Sequence, residues 1–217
     1  MNTLKLTKEH FKKSTSYWSD YIGTEDVSDY QWSIEIESNL WYVRFDKIKA
    51  SGSIIALAGS WIEAGWWIKA GEWIEAGWWI EAGEWIEAGW WIEAGWWIEA
   101  GSWIEAGWWI KAGEWIEAGW WIEAGWWIEA GSWIEAGLSI TCKLSLSFSY
   151  KIFAWICTWR DITEDEKTIT CWKKEWTGVV EYWILKEIWL PKEQVDSFIG
   201  KEVSVTIDGK EYKAIIQ

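Results

Sequence analysis

Three kinds of residue in this sequence could do chemistry: a lone histidine, three cysteines and a long periodic row of glutamates. His10 is the sole histidine, set in a Lys-rich N-terminal stretch and away from the repeated part of the chain, so a histidine general base has no visible partner. Cys142, Cys157 and Cys171 are an odd number at spacings that fit neither a disulfide framework nor a zinc knuckle. Cys142 reads as a small core residue rather than a reactive thiol. Paired carboxylates can hydrolyse glycosides, but one acid must be set apart in an enclosed cleft, whereas these glutamates are many, regular and alike. No Gly-rich loop precedes a Lys-Ser/Thr pair, so the glycines are corners rather than phosphate cradles. The expectation is a non-enzymatic protein with no catalytic residue, no metal ligand and no cofactor.

The residues that stand out are therefore arranged by a scaffold, and the scaffold is a repeat. From Gly59 the unit Gly-x-Trp-Ile-Glu-Ala occurs 13 times before decaying into Gly137-Leu138-Ser139-Ile140-Thr141-Cys142. Lys69 and Lys111 replace Glu, and the x position varies among Trp, Glu and Ser. Short fixed-period repetition marks a stacked solenoid. A period of six is even, so in a strand Ile and Ala share one face while Trp and Glu share the other. A helix does not accommodate it: six drifts from 3.6, and one Gly per unit costs about 1 kcal/mol each. Burying the Trp face would bury the Glu of the same parity, which is prohibitive without partners. Ile and Ala must line the core, with Gly at a corner suited to positive φ. Two-sided and three-sided coils both remain open at this point.

The narrow Ile/Ala interior resembles the hexapeptide-repeat parallel β-helices, a family that includes many acyltransferases. Here Ala follows Ile by two positions, whereas in that family a small residue precedes the aliphatic one. The resemblance implies a β-helix; that family's acyl transfer uses a histidine base, and His10 lies outside the repeat. The layout also resembles a group of uncharacterised bacterial and mobile-element proteins carrying Ile-x-Ala-Gly repeats, on the strength of Ile48-Lys49-Ala50, the repeat itself and the tail from Leu138 to Trp159. It implies a fold and no activity.

The expected fold class is all-β, a parallel β-solenoid with small α/β caps at both ends. Residues 1–32 read as a helical cap, with an amphipathic helix over 7–13 and Thr7 as N-cap. Residues 33–58 read as degenerate strands leading into the solenoid of 59–137. Residues 138–190 read as a β-rich cap, with strands over 138–152, 152–159 and 168–172 and an acidic turn at 161–165. Residues 191–217 read as a helix from Pro191 to before Gly200 and a hairpin about Asp208-Gly209.

Net charge is −14 at pI near 4.6, which argues against direct nucleic-acid binding and for a basic protein partner. The first residues lack the order of a signal peptide, and no apolar run suits a spanning helix, so the expected setting is cytoplasmic with no membrane contact. Glutamates and lysines of the repeat carry −12 of the charge, and 20 of 29 tryptophans lie there. Neighbouring Glu about 4.8 Å apart repel by about 0.9 kcal/mol in water. The candidate surface is the Glu set Glu75, Glu81, Glu87, Glu93 and Glu99 with the Trp set Trp67, Trp79, Trp91, Trp97 and Trp109. Three uses are weighed: an acidic rod mimicking duplex nucleic acid and inhibiting a nucleic-acid-handling enzyme; a homo-oligomer self-associating through Trp ladders; and glycan binding on Trp rings.

Overall fold

The computed structural model describes residues 3–15, 17–149, 151–154, 168–171, 173–174, 179–180, 184–187, 202–207 and 210–215. Two compact units divide the chain, residues 1–187 and 188–217. The first is an all-β parallel solenoid of about seven turns.

From Ser33–Ile36 onward its strands fall in rotation onto three sheets, which have nine, ten and eight strands among the described residues. The first sheet includes Ser33–Ile36, Ile54–Ala56, Ile74–Ala76, Trp91–Ala94, Trp109–Ala112 and Trp127–Ala130; the second, Trp41–Phe45, Ser60–Ala64, Ile80–Ala82, Trp97–Ala100, Trp115–Ala118 and Trp133–Ala136; the third, Ile48–Ala50, Trp67–Ala70, Trp85–Ala88, Trp103–Ala106 and Trp121–Ala124. The coil is three-sided. Ile80 lies over Ile62 and under Ile98, so one turn of the repeat takes 18 residues, or three hexamers. In the leading coils Ile34, Ile54 and Ile74 are each 20 apart, the extra residues falling at corners.

Parity works out as the residue types require. Every repeat isoleucine from Ile62 to Ile134 is fully buried, and the alanines beside them nearly so. Each buried Ile contributes about 1.5–3 kcal/mol, and identical residues stack in register along the interior of each side. The outward pair is Trp and Glu, on all three sides.

Glycine is needed here for a different reason from the one its position suggests. Among the described glycines only Gly59 has positive φ, at 78°. At the other corners the backbone continues the parallel ladder: Gly101 N–H donates to Ala82 O at 3.0 Å, and the next residue, Ser102, to Glu84 O at 2.5 Å. So tight is the stacking that a Cβ on Gly95 would collide with the carbonyl of Gly77, one turn below. Close approach of backbone to backbone, not a left-handed turn, excludes a side chain.

The expected N-terminal helix is absent. Lys8–His10 is a single 3-10 turn, and Phe11–Lys13 is a strand antiparallel to Trp18–Tyr21. Phe11 is drawn to the coil by Tyr21 and Phe45, at ring distances of 5.8 Å each, which a helix over 7–13 would forfeit. This antiparallel strand carries Lys12 and Lys13 along the open end of the second sheet, a device that discourages further stacking.

Past the repeat the coil persists. Ser139–Cys142, Ser145–Phe148 and Lys151–Ala154 pair in register with the last hexamers on the three sheets, so residues 138–152 are successive rungs rather than one long strand. Cys142 fills the alanine column above Ala124 and is buried. Thr168–Cys171, Lys173–Lys174, Val179–Val180 and Ile184–Glu187 extend the sheets. The acidic turn at 161–165, most of the strand expected over 152–159, Cys157 and the helix from Pro191 lie outside the described residues. The second unit's described part is the antiparallel pair Glu202–Ile207 and Lys210–Ile215, with Ile207 opposite Lys210 as a two-residue connection demands.

Candidate interaction surface

On each side of the coil an outward Trp column runs beside an outward column of charge, and the three sides differ. The charge column of the first sheet reads Glu35, Ile55, Glu75, Glu93, Lys111, Glu129. That of the third reads Lys49, Lys69, Glu87, Glu105, Glu123. Both lysines of the repeat find a carboxylate in their own column: Lys69 Nζ lies 2.7 Å from Glu87 and Lys111 Nζ 3.9 Å from Glu129. The second sheet is different. Glu63, Glu81, Glu99, Glu117 and Glu135 follow one another without interruption, and Arg44 before them turns to Asp20 at 2.8 Å.

The candidate residues read from sequence are thereby dispersed. Glu75 and Glu93, with Trp91 and Trp109, stand on the first sheet; Glu81 and Glu99, with Trp79 and Trp97, on the second; Glu87, with Trp67, on the third. The second-sheet pair belongs to a ladder of five glutamates, whose other members are Glu63, Glu117 and Glu135, while Glu87 heads a shorter run with Glu105 and Glu123. Reading the sequence at 18-residue steps finds all five, because Lys69 and Lys111 then fall in the other two columns.

Electrostatics set this ladder apart. Loss of water contact, then the charge of Glu81, pushes the Glu63 carboxyl up from 4.5 to about 7, with Arg44 opposing. Burial and Glu117 push Glu135 up to about 7. Glu81 and Glu117 are raised by burial and by Glu99 between them. On the third sheet Glu105 is raised by burial, then by Glu123 and Glu87. One oxygen of Glu63 and the indole nitrogens of Trp61 and Trp79 are buried without a hydrogen-bond partner, which favours the neutral acid at Glu63.

The Trp columns are stacks. Trp79, Trp97, Trp115 and Trp133 follow at 4.0, 4.3 and 4.9 Å with planes within 10°. Trp67, Trp85, Trp103 and Trp121 follow at 5.5, 5.5 and 5.0 Å. At the head of the second-sheet column Trp61 and Trp79 are only 5% and 6% exposed although they lie outside the core, whereas Trp66, Trp96 and Trp120 are exposed.

The variable x position has a logic visible only in three dimensions. Ser102 donates to Glu84 at 3.2 Å ahead of the third sheet and Ser132 to Glu114 at 2.9 Å ahead of the second, each pair spanning one turn. Ser53 donates likewise to Glu72 at 2.9 Å. That last bond lies at the corner ahead of the first sheet, which in later turns stacks Trp90, Trp108 and Trp126 at 5.4 and 5.1 Å. Alongside run Trp73, Trp91, Trp109 and Trp127 at 4.8, 4.8 and 4.7 Å, giving a slab of seven indoles two columns wide.

His10 closes the 3-10 turn: its Nδ1 accepts from Thr7 N–H at 3.0 Å. Among the described residues no cluster of His, Cys, Asp and Glu could hold a metal ion, and no helix is long and apolar enough to cross a membrane. No protein-family model, curated protein or solved structure matches this chain.

Proposed function

We propose that this chain is a non-enzymatic interaction protein whose second-sheet glutamate ladder docks onto a basic protein surface. The observation that carries the reading is the run Glu63, Glu81, Glu99, Glu117 and Glu135, in register with no cation between them. Sheet spacing puts one carboxyl about every 4.8 Å, against about 3.4 Å per phosphate along one strand of duplex DNA. A groove of Lys and Arg built for phosphates is therefore the surface such a ladder fits, and competitive inhibition of a nucleic-acid-handling enzyme is the activity that would follow. A cationic partner stabilises the ionised ladder, so docking releases protons from the raised carboxyls and tightens as pH rises from 6 to 8.

A lysine-rich peptide of defined length serves as the probe, titrated at 50 and 200 mM salt. Replacing the five ladder residues by Gln should weaken binding at least tenfold, while Gln at Glu75, Glu87, Glu93, Glu123 and Glu129 should change it less than threefold. Equal losses in the two sets, or none in the first, overturn the assignment to this face.

The seven-indole slab favours a second reading, self-association, since an apolar surface of this extent is usually covered. Sedimentation at high concentration should show a dimer or larger species that survives 0.5 M salt and dissociates in a Trp90→Ser/Trp126→Ser variant. A chain that sediments as a monomer throughout removes it.

A further inference from the structure

Where the Trp stack of the second sheet meets the N-terminal strands, the coil opens into a cavity of about 450 Å³. Its walls are aromatic: Tyr17, Trp41, Tyr42 and Trp61. Leu40 adds apolar surface, and the polar side chains apart from the tyrosine and indole groups are Lys13 and Ser19. Among the described residues no carboxylate lines it.

Two independent features mark this cavity as built rather than left over. The first is backbone strain. Trp41 has φ of 62° and Asn39 of 60°, and a left-handed tryptophan is a conformation that costs on the order of 1–3 kcal/mol. The next coil enforces it. Asn39 N–H donates to Ala58 O and Trp41 N–H to Gly59 O, both at 3.0 Å. The buried Ser60 hydroxyl accepts from Leu40 N–H at 3.0 Å and donates to Glu37 O at 2.6 Å. The product of these constraints is an indole held 62% exposed at the mouth of the cavity, 6.4 Å from Trp61. The second feature is a free cation: Lys13 is exposed and makes no ion pair among the described residues.

These requirements select a ligand class. Aromatic walls take a flat apolar body, and the unpaired Lys13 ammonium takes an anion. A sugar acid would bring several hydroxyls that the few polar groups here could not satisfy. A ligand cation would meet Lys13. We propose that this cavity is a binding site for a small aromatic carboxylate, of one or two rings, seated among Trp41, Tyr42 and Trp61 with its carboxylate toward Lys13. Burial, then the charges of Glu81 and Glu63, raise the Tyr42 hydroxyl, so the glutamate ladder borders the cavity and a ligand carboxylate must lie on its Lys13 side.

Calorimetric titration and ligand-observed NMR on the full chain test it, with indole-3-acetate as probe and its neutral amide and glucuronate as comparators. The expected result is saturable binding at one site per chain, the amide at least tenfold weaker and glucuronate not detected. Lys13→Met should weaken indole-3-acetate at least tenfold, Lys13→Arg should keep it within threefold, and Trp41→Ala should abolish it. Lys13 is a surface residue, so its variants stay folded even if the strained Trp41 loop does not survive substitution; far-UV circular dichroism checks both. Absence of saturable binding, equal binding of the amide, preference for glucuronate, or indifference to Lys13→Met each overturns the proposal.

Discussion

Raising the pH from 5 to 8 is expected to lower the melting temperature of this chain, the reverse of ordinary acid lability. The most perturbed groups are Glu63 and Glu135, whose carboxyls rise from 4.5 to about 7 through burial and through Glu81 and Glu117 respectively, with Glu81, Glu105 and Glu117 raised in the same direction. A carboxyl that binds its proton more tightly folded than unfolded stabilises the fold fully below its unfolded value, and that stabilisation is lost as pH climbs through the folded value. The window is therefore about 4.5 to 7. At about 1.4 kcal/mol per pH unit each group could supply at most about 3.4 kcal/mol. Both still touch water, and screening brings this to about 1 kcal/mol each. For a chain of this size the pair corresponds to about 4–8 °C. Asp26, lowered by its hydrogen bonds from Ser28, acts in the opposite direction only below its ordinary 3.8 and so lies outside the window. Melting followed by circular dichroism at low salt, at pH 5, 6, 7 and 8, reads the effect. A Glu63→Gln/Glu135→Gln variant should flatten the curve and melt higher than the parent at pH 8. A melting temperature that falls between pH 7 and 5, or a variant with the parent's slope, refutes the argument.

Two further substitutions probe the stacking. Gly95→Ala should cost several kcal/mol or prevent folding, because its Cβ would collide with Gly77 O, whereas Gly65→Ala, whose nearest neighbour is 3.5 Å away, should change stability by less than about 1 kcal/mol; chemical denaturation compares them. Cys142→Ala restores the residue type of the column below it and should shift the melting midpoint by no more than about 3 °C, which a thermal scan under reducing conditions checks.

The core was legible because parity is a local property: alternate residues of Trp-Ile-Glu-Ala must part, and charge on the Glu decides which pair faces water. Coil size was not legible from the strands, since Ile lies over Ile at either 12 or 18 residues. The information sat in the x position instead. At 12 residues Glu72 would stack on Glu84; at 18, Glu84 meets Ser102 and Glu114 meets Ser132, each with a hydrogen bond. The distribution of charge among faces follows only once that period is known, which is why Glu63, Glu117 and Glu135 escaped notice and Glu75 and Glu87 were grouped with residues on other sides. The helix expected over 7–13 came from a pattern that Leu6 and Phe11 also satisfy as strand residues, and tertiary contact with Tyr21 and Phe45 decided it. The cavity by Trp41 could not be read from sequence, because a left-handed tryptophan has no local signature.

Three hexamers per turn has a consequence for how such a chain can vary. Residues 60–101 and 102–131 are the same text apart from two hexamers, so units have been gained or lost whole. Each unit lifts the solenoid strands after it by about 1.6 Å, a third of the inter-strand spacing, and swings them about the coil axis by about 120°. Three units lengthen the rod and leave its C-terminal strands at the same heading; one or two re-aim them. Copy number in this protein is thus an angular setting as much as a length, and a slip of a single unit redirects the end of the rod without altering one contact in its core.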